Sequence, residues 1–234
     1  MRIVFFLSDT NVGGAQRTII NLVNRMIEMN IDVNLVVALE GGEAQKWLNE
    51  GVSIIELNAS RTRWALFGLR RVLLRLKPDI LVTTMVDANI LATLASVGLR
   101  KKMRLILRET NSHRARGDIK FLRRLLIKWS YKRADSVVAL STGVHNELLH
   151  TYGLDPDKMV TIGNPVTIQH FTKECKAKEI RKLGVVSEDF PIIIAIGRLK
   201  SQRALVKVIA SILANCIIFL LIKDKKEEIK IFIV

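Results

Sequence analysis

Cysteine is almost missing from this 234-residue chain: Cys175 and Cys216 stand far apart, without disulfide-type or metal-type spacing. That excludes a disulfide-stapled secreted domain and leads us to expect a reduced, cytoplasmic protein. No His/Cys cluster has ligand spacing, so no metal is expected. Gly-x4-Gly-Lys-Ser/Thr and G-x-G-x-x-G are both absent, which argues against a P-loop triphosphatase and a standard dehydrogenase. No Gly-x-Ser-x-Gly elbow marks a hydrolase. The N-terminus offers only the short apolar run Ile3 to Leu7 and no small-residue cleavage site, so no signal peptide is expected.

Acidic residues are also in deficit, 22 against 37 Lys and Arg, for a net charge of +15. The imbalance is concentrated between Arg61 and Arg133, where 19 cations face four carboxylates. Three segments supply most of it: Arg70 to Lys77, Arg100 to Arg104 and Arg114 to Arg133. Such a surface suits an anionic partner, and an anionic membrane surface fits better than nucleic acid because no aromatic platform or recognition motif accompanies the charge. The plain alternative is a set of solvated helix faces.

What is present is an alternation of strand and helix signals. Short apolar runs at Ile3–Leu7, Val33–Leu39, Ser53–Leu57, Ile80–Thr83, Arg104–Leu107, Ser136–Leu140 and Met159–Ile162 read as strands buried on both faces. Between them lie helical periods. In the first, Ile19, Leu22, Val23, Met26 and Ile27 share a face; others cover Arg63–Leu76, Ala88–Val97, Lys120–Lys132 and Thr142–Thr151. The pattern predicts an α/β fold built on a doubly wound, Rossmann-like parallel sheet, with ligands at the carboxyl ends of the strands.

Gly163-Asn164-Pro165 punctuates the chain, and a polar stretch follows. We therefore expect a first domain over residues 1–166 and, over 167–234, the start of a second α/β domain. Strand signals there are Ile192–Ile196 and Cys216–Leu221, with a helical period at Ala177–Leu183. So short a remainder reads as a truncated domain. The apolar stretch Ala204 to Ile222 is interrupted by Lys207, Ser211 and Asn215, and is read as a helix to about Leu213 followed by a strand rather than a membrane span.

Three segments fall at strand ends where chemistry is expected. Gly13-Gly14 lies between the first strand and first helix, where backbone N–H groups and the helix dipole favour an anion; the alternative is a glycine supplying only a positive φ. Arg108-Glu109-Thr110-Asn111-Ser112-His113 follows the fifth strand, so Glu109 and Asn111 are candidates for lining the same crevice. His113 is a possible general base or an ordinary surface histidine. Gly197-Arg198-Leu199 with Gln202-Arg203 places two cations on a strand-to-helix turn, either to clamp a diphosphate or as surface charge.

In this order the segments resemble family-four glycosyltransferases of the GT-B fold. Gly13-Gly14-Ala15-Gln16-Arg17 with Ile20-Asn21-Leu22-Val23 resembles the first loop and helix, and Lys77-Pro78-Asp79-Ile80 a helix-to-strand junction. Arg108 to Asn111, Tyr131 to Ser141, Gly163-Asn164-Pro165-Val166 and Gly197-Arg198-Leu199 with Gln202 resemble the later motifs, so that the likeness runs from residue 1 to about 203. It implies a retaining transferase that moves a sugar from a nucleotide diphosphate sugar to a glycan or lipid-linked acceptor, without a cofactor. It also implies that Gly13, Gly14, Arg198 and Arg203 face the donor phosphates, while Glu109, Asn111 and Asn164 line the cleft. The acceptor would sit mainly on the first domain and the nucleotide mainly on the second, at the inner membrane face. The sequence departs from the family at Arg203 and Ala204, where Lys and Gly are usual, and lacks the acidic pair seven residues apart. A non-catalytic acceptor- or partner-binding module is the rival expectation.

Overall fold

The computed structural model describes residues 1–99, 103–111 and 121–165, and the backbone of three further strands, Ile192–Arg198, Ile217–Lys223 and Ile229–Ile233. The chain divides into two compact units, Met1–Val166 and Thr167–Val234.

In the first unit the elements follow in the order β1 (Arg2–Leu7), α1 (Gly14–Glu28), β2 (Asp32–Val37), β3 (Ser53–Glu56), α2 (Leu66–Leu76), β4 (Ile80–Thr84) and α3 (Val86–Ala95). They continue with β5 (Arg104–Glu109), α4 (Phe121–Arg133), β6 (Ser136–Ala139), α5 (Thr142–Tyr152) and β7 (Met159–Thr161). All seven strands are parallel, in the order β3-β2-β1-β4-β5-β6-β7. This is the α/β Rossmann-like sheet anticipated from the alternation.

The unalternating apolar runs are explained by the two layers that cover the sheet. On β1, Ile3, Phe5 and Leu7 turn to the core beneath α1, where Ile19 and Val23 pack. Val4 and Phe6 turn to the opposite core, with Leu69 and Leu73 of α2, Leu91 of α3 and Ile127 of α4. A strand with period-two side chains and a core on each side must be apolar throughout.

Two of the motif carboxylates do structural work at the amino-terminal edge of the sheet. Asp79 accepts the Arg2 N–H at 2.6 Å, and Asp135 accepts the Leu105 N–H at 2.7 Å, each tying the start of a neighbouring strand. Ser141 caps α5 by accepting the Val144 N–H, and Gly153 ends it in the left-handed region at φ 58°.

Most boundaries shift by a residue or two from the sequence expectation. The larger differences are 3₁₀ turns at Glu43–Trp47 and Pro156–Lys158, which carry no helical apolar period, and β5, which continues through Arg108 and Glu109. In the second unit, β8 (Ile192–Arg198) pairs parallel with β9 (Ile217–Lys223), and β10 (Ile229–Ile233) pairs antiparallel with β9. The expected helices at Ala177–Leu183 and before Leu213 lie outside the described residues.

Candidate functional site: the crevice between β1 and β4

Strand order reverses direction between β1 and β4, because β1 leads outward to β2 while β4 leads the other way to β5. Connections on opposite faces leave a crevice at the carboxyl ends of these two strands. The turn 8–13 enters it and is heavily tied down. Asp9 Oδ1 accepts from the Asn11 N–H and from Gln16 Nε2, both at 3.0 Å. Thr10 donates through Oγ1 to the Gly41 carbonyl at 2.8 Å, while its own carbonyl accepts the Ala44 N–H at 2.9 Å.

Gly13 is the N-cap of α1 and is extended, at φ −163°, and neither Gly13 nor Gly14 has a positive φ. The left-handed-turn alternative is thereby removed. A Cβ built on Gly14 would meet nothing within 4 Å, and one on Gly13 would meet the flexible end of Gln16. The glycines are thus not demanded by crowding against backbone; they leave the helix end bare. Gly13 offers no side-chain cap and no acidic residue lies in the first turn of α1, while the Asp9 carboxylate accepts from the Gln16 side chain of that turn.

Across the crevice, the last residues of β5 form a buried polar network. Arg108, 6% exposed, donates through Nη1 to Thr84 Oγ1 at 3.2 Å and through Nη2 to the Asn164 side-chain oxygen. That same oxygen lies 3.3 Å from Thr18 Oγ1, which also bonds the Gly14 carbonyl at 2.9 Å. Arg108 therefore links the ends of β4 and β5, the segment after β7 and the first turn of α1. Burial lowers the affinity of its guanidinium for the proton, and the charge of Glu109 opposes that effect.

Glu109 is fully buried. Its Oε1 accepts the N–H groups of Thr110 and Asn111 at 3.0 and 3.1 Å, and its Oε2 accepts the Tyr131 hydroxyl at 2.5 Å. Asn89 Nδ2 in turn donates to Tyr131 and to the Arg108 carbonyl, each at 3.1 Å, while Asn89 Oδ1 is buried without a hydrogen-bond partner. Burial, followed by the Glu109 charge and hydrogen bond, raises the Tyr131 hydroxyl well above the usual tyrosine range. At the end of β4, Met85 holds φ 77°, a costly conformation for a residue with a side chain, of the kind that gathers at ligand sites.

The structure thus brings Gly13, Gly14 and Asn164 together through Thr18 and Arg108. Glu109 lies beneath the crevice and holds its loop; Asn111 is exposed, with its side-chain amide on Thr110. Arg198 ends β8 in the other unit, and Arg203 and His113 lie outside the described residues. Sequence reasoning placed Arg108 in the polar segment after the fifth strand without singling it out, and passed over Thr18, Asn89 and Tyr131 as site members. A cation two residues after Ile106 in an otherwise buried strand was the one available signal for Arg108. Among the described residues, no group of three His, Cys, Asp or Glu side chains could hold a metal ion, and no helix is long and apolar enough to cross a membrane.

A parallel sheet with this strand order and helices on both faces defines a Rossmann-like α/β unit. The family model for Glycosyltransferase Family 4 matches residues 12–170, most of the chain, and the protein belongs to that family. Solved structures share the fold. HepE from Anabaena, in complex with UDP-glucose, superposes with a TM-score of 0.72 at 14% identity, covering 95% of this chain and 60% of its own. The apo form of the lipopolysaccharide outer core galactosyltransferase WaaB gives 0.66 at 17%, over 95% and 60%. A glycosyltransferase from Rickettsia africae gives 0.65 at 21%, over 94% and 60%. The chain therefore spans about 60% of the length of these structures. No curated protein sequence matches it.

Proposed function

We propose that the protein takes part in sugar transfer from a nucleoside diphosphate sugar to a glycan or lipid-linked acceptor, with the β1–β4 crevice as one wall of the site. Family membership supports the reaction class over a non-catalytic module. The observation that carries the reading is the uncapped, acid-free start of α1 with open space over Gly14. There the N–H groups of the first turn would face the diphosphate, whose charge grows as the bond from the sugar C1 to the phosphate oxygen breaks. Donors fixed in advance toward developing charge are worth several kcal/mol each.

In the same reading, residues 1–166 form the acceptor-side domain and 167–234 belong to the nucleotide-side domain, whose Arg198 and Arg203 approach the donor phosphates. Asn164 and Asn111 line the cleft, and Glu109 acts on it through the loop that it holds. The bound nucleotide sugar is substrate, and no cofactor is invoked. The setting is cytoplasmic, peripheral at an anionic membrane face, as a lipid-linked acceptor in polysaccharide synthesis would require.

Calorimetric titration of the chain with UDP-glucose and other nucleoside diphosphate sugars, beside Gly14→Asp, tests this. The fold leaves room at position 14, and an acid in the first turn of a helix is favourable to stability. The variant should melt no lower than the parent yet lose donor binding by at least about tenfold, from repulsion worth about 1.4 kcal/mol. Donor binding unaffected by the aspartate would remove the crevice from the donor site.

A further inference from the structure

Helix α4 is apolar on two opposite sides. Its inner side places Ile127 and Tyr131 in the core, and Ser130 beside them is buried. Its outer side carries Phe121, Leu122, Leu125 and Leu126, of which Phe121 is 76% and Leu122 70% exposed. These positions, spaced i, i+1, i+4 and i+5, form one exposed stripe outside both cores of the described residues. α4 packs beside α3, and α3 beside α2, in a single helix layer. At the start of α2 stand Trp64, 63% exposed, and Phe67, 80% exposed. Helices α2 and α4 both begin at the carboxyl edge of the sheet, so both apolar clusters flank the rim on which the crevice opens.

The charge around these clusters has one sign. α4 contains Arg123, Arg124, Lys128, Lys132 and Arg133 and no carboxylate. The segment from Thr62 through α2 contains Arg63, Arg70, Arg71 and Arg75 and again no carboxylate. Among the described residues, Arg123 pairs with Asp87 at 2.8 Å, Arg70 bonds the Ala95 and Val97 carbonyls, and Arg63 and Arg133 lie over the Trp64 and Trp129 rings. A polyanion without acyl chains would gain little from exposed Leu122, Leu125 and Leu126, and a neutral apolar partner nothing from the arginines. An anionic bilayer uses both at once, through acyl-chain contact and headgroup charge.

We propose that the outer stripe of α4, with Trp64 and Phe67 as its second point of contact, is the surface that docks this protein on an anionic phospholipid bilayer, seating the crevice rim at the headgroup level. This deepens the peripheral setting given above and names the elements that make the contact.

The test is co-sedimentation of the full chain with vesicles of phosphatidylcholine alone and with phosphatidylglycerol added, at near-physiological salt. The parent should bind the anionic vesicles and bind neutral ones at least about tenfold more weakly. Phe121→Ser with Leu125→Ser preserves every charge and removes only outward apolar surface, and should reduce binding to anionic vesicles by about tenfold. Met29→Ser, an exposed apolar change at the end of α1 in the other layer, should leave it unaltered. Circular dichroism confirms that each variant folds. Because the double variant could still perturb α4, a second readout keeps Phe121 and Leu125 in place: in single-tryptophan variants, bilayers brominated in their acyl chains should quench Trp64 and leave Trp47 bright. Equal binding by parent and double variant would mean that net charge alone acts and would overturn the proposal. So would absence of binding, unquenched Trp64, or self-association through α4 without lipid binding. None of these outcomes bears on donor affinity, so the transferase reading stands or falls separately.

Discussion

Gly14 and Gly42 differ in what a single methyl group would meet. Over Gly14 there is open space, whereas a Cβ on Gly42 would fall 2.3 Å from Thr10 Oγ1 and 2.5 Å from its backbone, at φ 141°. Gly14→Ala should therefore change stability by no more than about 1 kcal/mol, whereas Gly42→Ala should cost about 2–3 kcal/mol in urea denaturation, by backbone collision and strain. The place of Gly13-Gly14 between strand and helix was legible in the sequence. The role of Gly41-Gly42 was not, because it depends on Thr10, 31 residues before Gly41. The two tyrosines offer a second check. They are the only two in the chain, and both hydroxyls are held up, Tyr131 well above its usual range and Tyr152 to about 12, each chiefly by burial. The folded state thus keeps protons that the unfolded chain releases near pH 10, so this contribution to stability is intact below about pH 10 and is lost as pH rises toward the folded values. Absorbance at 295 nm should stay flat through about pH 11 in the folded chain and rise near pH 10 in denaturant. A native rise near pH 10 would contradict the burial of the Glu109–Tyr131 pair.

At the scale of elements, β1 shows why the parallel sheet was readable. Its run of five apolar residues has no alternation, since Phe5 and Phe6 enter different cores. Phe6→Ala should cost about 3–5 kcal/mol, as truncation of a fully buried phenylalanine leaves an unfilled cavity. A loss below about 1 kcal/mol in denaturant unfolding would mean that β1 is not central. The end of β5 was harder to read. Arg108 and Glu109 look like the start of a polar loop, yet both are buried in the strand because distant partners, Thr84, Asn164 and Tyr131, satisfy them. Side-chain pairing across 22 to 56 residues leaves no periodic trace in a sequence. Helix α4 was legible as a helix, but its second apolar face emerged only once the first was seen to be buried.

For the whole molecule, the strand order places the ends of β1, β4, β5 and β7 around one crevice. The order of motifs along the chain had suggested that the Gly13-Gly14 turn and the end of β5 share this edge. What no motif disclosed was how the crevice is held: by a guanidinium joining four chain segments, with the helix end left bare beside it. The central claim is that this bare end receives the diphosphate of a sugar donor. The most direct measurement is a two-dimensional 15N NMR titration of the full chain with UDP-glucose and its nucleoside diphosphate sugar relatives. The account predicts saturable shifts, centred on the amides of Gly13, Gly14 and Ala15, for at least one of these donors. Saturable binding that leaves those three amides unmoved would contradict it.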